Sequence, residues 1–245
     1  MGVKRLLFIP DTHVPYEDTK AFALMLKAAK VFKPDVVVLL GDFADFYAVS
    51  SHSKNPDRRL DLRYEVDRVK ERLKDIKRLG AKRHIYVAGN HEDRLERYLM
   101  DKAPALFTSV KIPDVLDLQA LGFEYVPYKD HLLLGKLHIT HDTGNAGQYA
   151  HYKAQADFEG NVIIGHTHRM GYAIVGTAKG HPHVCAQLGW LGDFGAIDYM
   201  HRVKALRSWA HGFGVGFMEP DGTVHVQPVP MVRNKCVVAG ELISL

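Results

Sequence analysis

The chain has 245 residues, 47% hydrophobic and 24% charged, with a formal net charge of +4. That is the profile of a globular chain long enough to bury a core without disulfides, and it excludes low-complexity and fibrous classes. No apolar run approaches the roughly 20 residues that span a bilayer. Cys185 and Cys236 lie in apolar, strand-like surroundings and read as buried thiols of a reducing, cytoplasmic compartment. Residues 3–9 run straight into a strand pattern, so no leader is expected. The mild positive charge helps attract a phosphorylated substrate and does not by itself mark a nucleic-acid binder.

Residues 3–10 form an apolar run that reads as a buried strand and delivers Asp11-Thr12-His13. Asp18 or Thr19 caps the next helix, whose apolar face holds Phe22, Leu24, Met25, Leu26, Ala29 and Phe32 before Pro34 stops it. Residues 36–40 are continuously apolar, as for a strand buried on both faces, and end at Gly41-Asp42. Asn55-Pro56 reads as a helix start, with an amphipathic helix over 56–79 carrying Leu62, Val66, Val69, Leu73 and Ile76. A third strand, 84–88, delivers Gly89-Asn90-His91-Glu92, and a helix is expected over about 91–100. This β-α-β-α-β-α order predicts a parallel sheet with its ligands gathered beyond the carboxyl ends of the strands.

Further on, residues 132–134 and 137–140 flank a Gly135-Lys136 hairpin turn, and His141 follows. A helix over 145–158 would bury Tyr149, Tyr152 and Ala156. Residues 162–164 form a short strand before Gly165-His166-Thr167-His168. Short strands then follow at 172–175, 183–188, 213–218, 223–228 and 237–243, with Asp221-Gly222 as a hairpin turn. Residues 189–211 interrupt them as an insertion-like segment. There is no internal repeat or interdomain linker, so a single domain over 1–245 with two sheets packed face to face is expected.

The chain holds 15 histidines, and five of them sit beside strand ends with other metal-binding groups. Asp11 and His13 are one residue apart, as are His166 and His168. On extended backbone such pairs point the same way and can grip one cation. Asp42 offers a carboxylate able to bridge two cations, and Asn90 a neutral oxygen. His141 follows its strand, whereas His138 lies within one and reads as structural.

Asp11-x-His13, Gly41-Asp42-x-x-Asp45, Gly89-Asn90-His91-Glu92, His141 and Gly165-His166-x-His168, in that order, resemble the calcineurin-like metallophosphoesterases. The resemblance implies an α/β fold, a four-layer αββα sandwich. It implies one metal held by Asp11, His13, Asp42 and His168, and a second held by Asp42, Asn90, His141 and His166. The donors are nitrogen and oxygen without thiolate, which suits two divalent ions such as Mn, Fe, Zn, Co or Ni. The implied activity is phosphoester hydrolysis by a hydroxide bridging the two metals. His91 is the candidate general acid, and by resemblance Asp45 orients it. Glu92 and Arg94 read as supporting residues, and Arg94 as a possible phosphate contact beside Asn90.

Phe46-Tyr47 stand where the protein serine/threonine phosphatase branch of the family has Arg-Gly, which disfavours phosphoproteins as substrates. The preferred expectation is a phosphodiesterase acting on nucleotides or nucleic acid; the alternatives are a phosphomonoesterase and a metal-stabilised interaction scaffold. Arg202, Lys204 and Arg207 are expected to contact substrate phosphate, with Tyr199 or Trp209 stacking on a base.

Overall fold

The computed structural model describes residues 2–58, 61–178, 180–196 and 208–245. Three strands, β1 (Lys4–Ile9), β2 (Val36–Leu40) and β3 (Arg83–Val87), run parallel and are linked by helices α1 (Thr19–Phe32) and α2 (Leu62–Lys77). Helix α3 (Asp93–Lys102) follows β3. All five residues of β2 are buried, as its unbroken apolar run requires. The strand β4 (Glu124–Val126) extends the sheet in parallel beyond β3. The antiparallel strands β10 (Gly212–Met218) and β11 (Val224–Pro230) extend it beyond β1, completing six strands in the order β11-β10-β1-β2-β3-β4.

The second sheet has five strands: β5 (Leu132–Leu134), β6 (Leu137–Thr140), β7 (Asn161–Ile164), β8 (Met170–Val175) and β9 (His183–Leu188). Their order is β5-β6-β7-β9-β8, with β6, β7 and β9 parallel and both edges antiparallel. Alternation along the strands divides the core. Leu6, Phe8, Val38, Leu40 and Ile85 turn inward to meet Leu137, Ile139, Ile163 and Leu188 of the other sheet. Each such fully buried side chain contributes about 1.5–3 kcal/mol. Leu7, Ile9, Val37 and Leu39 turn outward under α1 and α2, with Phe22, Met25, Val69 and Leu73. On the far side Ala150 and Ala154 of α5 (Ala150–Phe158) cover Val162, Ile164 and Cys185. The result is the expected αββα layering, and the parallel strands of both sheets end at one rim. Among the described residues no helix is long and apolar enough to cross a membrane.

Local expectations fail in four places. Asn55-Pro56 does not start a helix: α2 begins at Leu62, where the Asp61 carboxylate accepts from Tyr64 N. Asn55 instead closes a turn, its Oδ1 accepting from Asp57 N. Helix α5 is shorter than expected, and Tyr149, Tyr152 and Ala156 are exposed. Ala150, His151 and Ala154 face the sheet, because small side chains let the helix lie close. Residues 237–243 are not one strand. They belong to a hairpin, β12 (Lys235–Val238) and β13 (Glu241–Ser244), turned at Ala239 and Gly240, which have φ of 52° and 82°. Cys236, Val238 and Ile243 of this hairpin join the core beneath α1. Strand β4 had no alternation long enough to reveal it. Between α3 and β4 lies the four-residue helix α4 (Ile112–Val115). Both cysteines are buried free thiols.

Candidate metal centre

The six-stranded sheet places Asp11, Asp42 and Asn90 just past the ends of β1, β2 and β3. Asp11 and Asp42 are buried and Asn90 is half-buried. Gly89 is required by close approach, since a Cβ there would overlap the Asp42 carboxylate. The five-stranded sheet supplies His141 after β6, and His166 and His168 after β7. At Gly165 a Cβ would lie 2.8 Å from Leu40 O and 2.9 Å from Asp11 Oδ2. Glycine at this position is what lets the two rims approach so closely.

The residues sort into two clusters. In one, His13 Nε2 lies 3.0 Å from His168 Nε2, and His168 Nε2 lies 3.5 Å from Asp11 Oδ1. In the other, His141 Nε2 lies 3.2 Å from Asp42 Oδ2 and 3.1 Å from Asn90 Oδ1, and His166 Nδ1 lies 2.8 Å from Asn90 Oδ1. His166 and His168 therefore face different clusters. The premise of an extended His-x-His turn is corrected by the backbone: His13, Asp42, His166 and His168 all have positive φ, between 49° and 65°. Non-glycine residues in the left-handed region cost energy and concentrate at functional sites.

The donor sets suit divalent cations. Two ring nitrogens face each other at hydrogen-bond distance, an arrangement that a shared cation between them satisfies. Asp11 Oδ2 is buried and finds no hydrogen-bond partner among the described residues. His141 Nδ1 donates to Leu40 O at 2.8 Å, which directs the lone pair of Nε2 into the cluster. Burial pushes the Asp11 carboxyl up to about 7. Burial opposes charge on both partners of the second cluster, yet the Asp42–His141 pair overcomes it. Asp42 is held well below the carboxylate range, and His141 is drawn up to about 10. The negative charge of Asp42 that favours a proton on His141 would equally favour a metal cation in that proton's place, with His141 then neutral. His168 is pushed well below the usual imidazole range by burial and then by His13, which favours the neutral, ligating form.

Asp45 connects the clusters to the mouth of the site. Its Oδ2 lies 3.1 Å from both His91 Nδ1 and His13 Nδ1, so it orients His13 as well as His91. Burial works against ionising Asp45, but His91 and His13 hold it well below the carboxylate range. Arg94 donates to Asp45 Oδ1 at 3.0 Å and to Asp45 O at 2.9 Å, and its other terminal nitrogen faces His91 Nε2 at 2.9 Å. Arg94 lines the cleft but is gripped by protein groups. Arg202, Lys204, Arg207 and Tyr199 lie outside the described residues. Trp209 packs edge-on to His168, with ring centroids 4.2 Å apart. His138 stacks on Phe158, away from the centre.

Three supporting residues escaped the sequence reading in whole or part. Glu92 is buried and accepts from Asp42 N, Ala44 N, Gly89 N and Tyr86 Oη, tying the loop after β2 to the loop after β3. Its place in the Gly-Asn-His-Glu run was the available signal. Trp190, fully buried, stacks on His168 at 4.8 Å and 13°. Glu65 on α2 accepts from Tyr47 N and Ala48 N beneath the cleft wall. Nothing in the sequence around Trp190 or Glu65 marked them. The centre opens into a cleft of about 700 Å³, with His91, Asn90 and His166 at its floor.

A family model described as calcineurin-like phosphoesterase matches residues 4–170. The chain is 28% identical over 265 residues to the Gene 54 protein of Mycobacterium phage D29, covering 98% of each. It is 28% identical over 270 residues to the Gene 54 protein of Mycobacterium phage L5, again covering 98% of each. Its fold is similar to that of vacuolar protein sorting 29 from Cryptosporidium parvum, with a TM-score of 0.50 and 14% identity, covering 99% of this chain and 95% of that one. The matched stretch runs through the ends of β1, β2, β3, β6 and β7, the strands whose rims meet at the clusters, and the chain belongs to the calcineurin-like phosphoesterase family.

Proposed function

We propose that the protein is a dinuclear metal-dependent phosphoesterase that hydrolyses phosphodiester bonds of a nucleotide or nucleic-acid type substrate. The observation that carries this reading is the meeting of two nitrogen-and-oxygen clusters at the floor of one cleft beside the Asp45–His91 pair. Asp11, His13, Asp42 and His168 would hold one cation; Asp42, Asn90, His141 and His166 would hold the other. Bound there, divalent ions supply Lewis acidity at the phosphoryl oxygens and an activated water.

The chain's own residues do the rest. Asp45 accepts from His91 Nδ1–H and so turns Nε2 toward the cleft. His91 then protonates the departing alkoxide, which an alkyl ester needs because its leaving group is a strong base. Arg94, by turning from His91 Nε2 to a phosphoryl oxygen, leaves that nitrogen facing the leaving group. Trp190 keeps the His168 ring in one plane and excludes water behind it. Tyr47 and Trp209 line the cleft along with the centre, and its volume of about 700 Å³ leaves room for both substituents of a diester.

The test is turnover of bis-p-nitrophenyl phosphate against p-nitrophenyl phosphate after chelation and readdition of Mn²⁺. Faster hydrolysis of the diester is expected. Turnover of the monoester alone makes the protein a phosphomonoesterase, and inertness across a wider ester panel leaves a metal-stabilised scaffold.

A further inference from the structure

Asp45 serves two imidazoles with one oxygen. Its Oδ2 lies 3.1 Å from His13 Nδ1 and 3.1 Å from His91 Nδ1, and the two nitrogens lie 3.3 Å from each other. The other oxygen, Oδ1, accepts from Arg94 at 3.0 Å. What stands on the far side of each ring fixes its proton. Arg94 faces His91 Nε2 at 2.9 Å, and a guanidinium only donates, so the neutral His91 ring carries its proton on Nδ1. His13 Nε2 faces His168 Nε2 at 3.0 Å, where a cation would take a lone pair from each, so His13 also carries its proton on Nδ1. Two donors cannot bond to each other. Both are left to Asp45 Oδ2, and each weakens the other's hold on it.

We propose that Asp45 is a positioning residue for the cation of the Asp11, His13, Asp42 and His168 set, and that His91 loosens that cation by drawing on the same carboxylate oxygen. This rests on the preceding reading only in placing a cation at that cluster, and it needs neither substrate nor turnover.

The sharing is built into the backbone. His13 N donates to Asp42 O at 2.9 Å, Val14 N to Phe43 O at 2.8 Å, and Asp45 N to Val14 O at 3.0 Å. These bonds zip the loop after β1 to the loop after β2 and set Asp45 beside His13. His91 N donates to Asp42 Oδ1 at 2.8 Å, and Glu92 accepts from Asp42 N and Ala44 N, so the loop after β3 is tied to the same place. The His13 and His91 rings meet edge to face with centroids 4.4 Å apart. Asp45 is 8% exposed and His13 5%, so little water is at hand to relieve the competition.

The two clusters differ in what backs their imidazoles. A carboxylate behind a ligating imidazole raises its basicity and fixes its plane. Behind His141 stands the neutral carbonyl of Leu40. His168 Nδ1 is buried and finds no partner among the described residues. Among those residues Asp45 is the one carboxylate that backs a ligand histidine, and it backs only the cluster that holds His13.

The experiment titrates Co²⁺ into metal-free protein by calorimetry and follows the visible absorption of the bound ion. In Asp45→Ala one of the two affinities should fall by about 10- to 100-fold, the usual effect of removing a partner behind a ligating histidine, while the other stays. Asp45→Asn, whose single oxygen is contested by Arg94 and two imidazoles, should fall between. His91→Phe keeps a ring against His13 and removes the competing donor. The same affinity should then rise by about 2- to 10-fold, the range of one hydrogen bond. In the Asp45→Ala background His91→Phe should change nothing.

Unchanged affinities in Asp45→Ala, an equal fall in both, no rise in His91→Phe, or a rise that persists without Asp45 overturns the proposal and leaves the phosphoesterase reading standing. Two ions with the expected coupling, on a protein inert toward every ester, would overturn the activity and keep the coupling. Failure of the wild-type protein to bind Co²⁺ overturns both.

Discussion

The two sheets contribute different chemistry to the same rim. The six-stranded sheet brings oxygen: Asp11, Asp42 and Asn90, one beyond each of three successive parallel strands. The five-stranded sheet brings imidazole: His141 beyond β6, and His166 and His168 beyond β7. His13 alone crosses this division. Each sheet offers half of a coordination set, so the centre exists only where Leu6, Phe8 and Leu40 pack against Ile139, Ile163 and Leu188. The oxygen side also carries the negative charge, and the imidazole side can respond to it, as the Asp42–His141 pair does.

The strongest way to break this division is to neutralise the oxygen side. Asp42→Asn keeps the shape and removes the charge that both clusters would share. Partners one shell out from a metal typically cost about 10- to 100-fold when removed, so loss of a bridging donor should exceed about a hundredfold in rate. Metal content by mass spectrometry should fall with it. A variant that retains two ions per chain and full activity would remove Asp42 from the bridging position.

The imidazole side is tested by separating its two neighbours. His166→Ala and His168→Ala remove side chains two residues apart that face different clusters. Each should retain one ion of two, and spectra of the Co²⁺-loaded variants should differ because the remaining donors differ. Loss of both ions in both variants would mean a single coupled site. At the mouth, His91→Ala should keep its metal and lose about 10²–10⁴-fold in kcat on alkyl esters, the usual contribution of a general acid. The loss should be much smaller on p-nitrophenyl esters, whose leaving group needs no proton. Equal losses on both would remove the acid role.

The same contrast explains what the sequence made legible. On the oxygen side each residue follows an apolar run, so β1, β2 and β3 announce Asp11, Asp42 and Asn90 directly. On the imidazole side local spacing pointed His166 and His168 the same way, and only the family resemblance assigned them to different metals. His166 and His168 diverge because both adopt left-handed backbone, which no local pattern dictates. Trp190 and Glu65 were hidden for a different reason. Their roles come from what lies across the fold, the His168 ring in one case and the Tyr47–Ala48 backbone in the other. The Asn55-Pro56 signal misled because Asn55 closes a turn, accepting from Asp57 N and donating its N–H to the Tyr47 hydroxyl, while Asp61 caps the helix instead.

The mildest test concerns a carboxyl group on the oxygen side that lies behind the cleft wall. Burial raises Glu65 from 4.5 to about 7; Asp45 adds to the shift, while Arg94 and the N–H groups of Ala48 and Tyr47 work against it. Below pH 4.5 the group is protonated in folded and unfolded chains alike, and the fold carries no penalty. Between 4.5 and 7 the unfolded chain releases the proton more readily, so the fold loses stability as pH rises, and the penalty is constant above that window. Glu65→Gln never ionises. Tyr47 N–H is accepted by one Glu65 oxygen and Ala48 N–H by the other, and Gln keeps only one oxygen, so the variant carries a fixed offset that does not change with pH and the comparison is read from its slope above pH 5. The melting temperature of the variant should then gain on wild type by about 2–4 °C by pH 8, which corresponds to about 1 kcal/mol in a chain of this size. A difference that stays flat across the window, or reverses, would show that Glu65 ionises as easily in the fold as in water and that the wall beneath Tyr47 is wet.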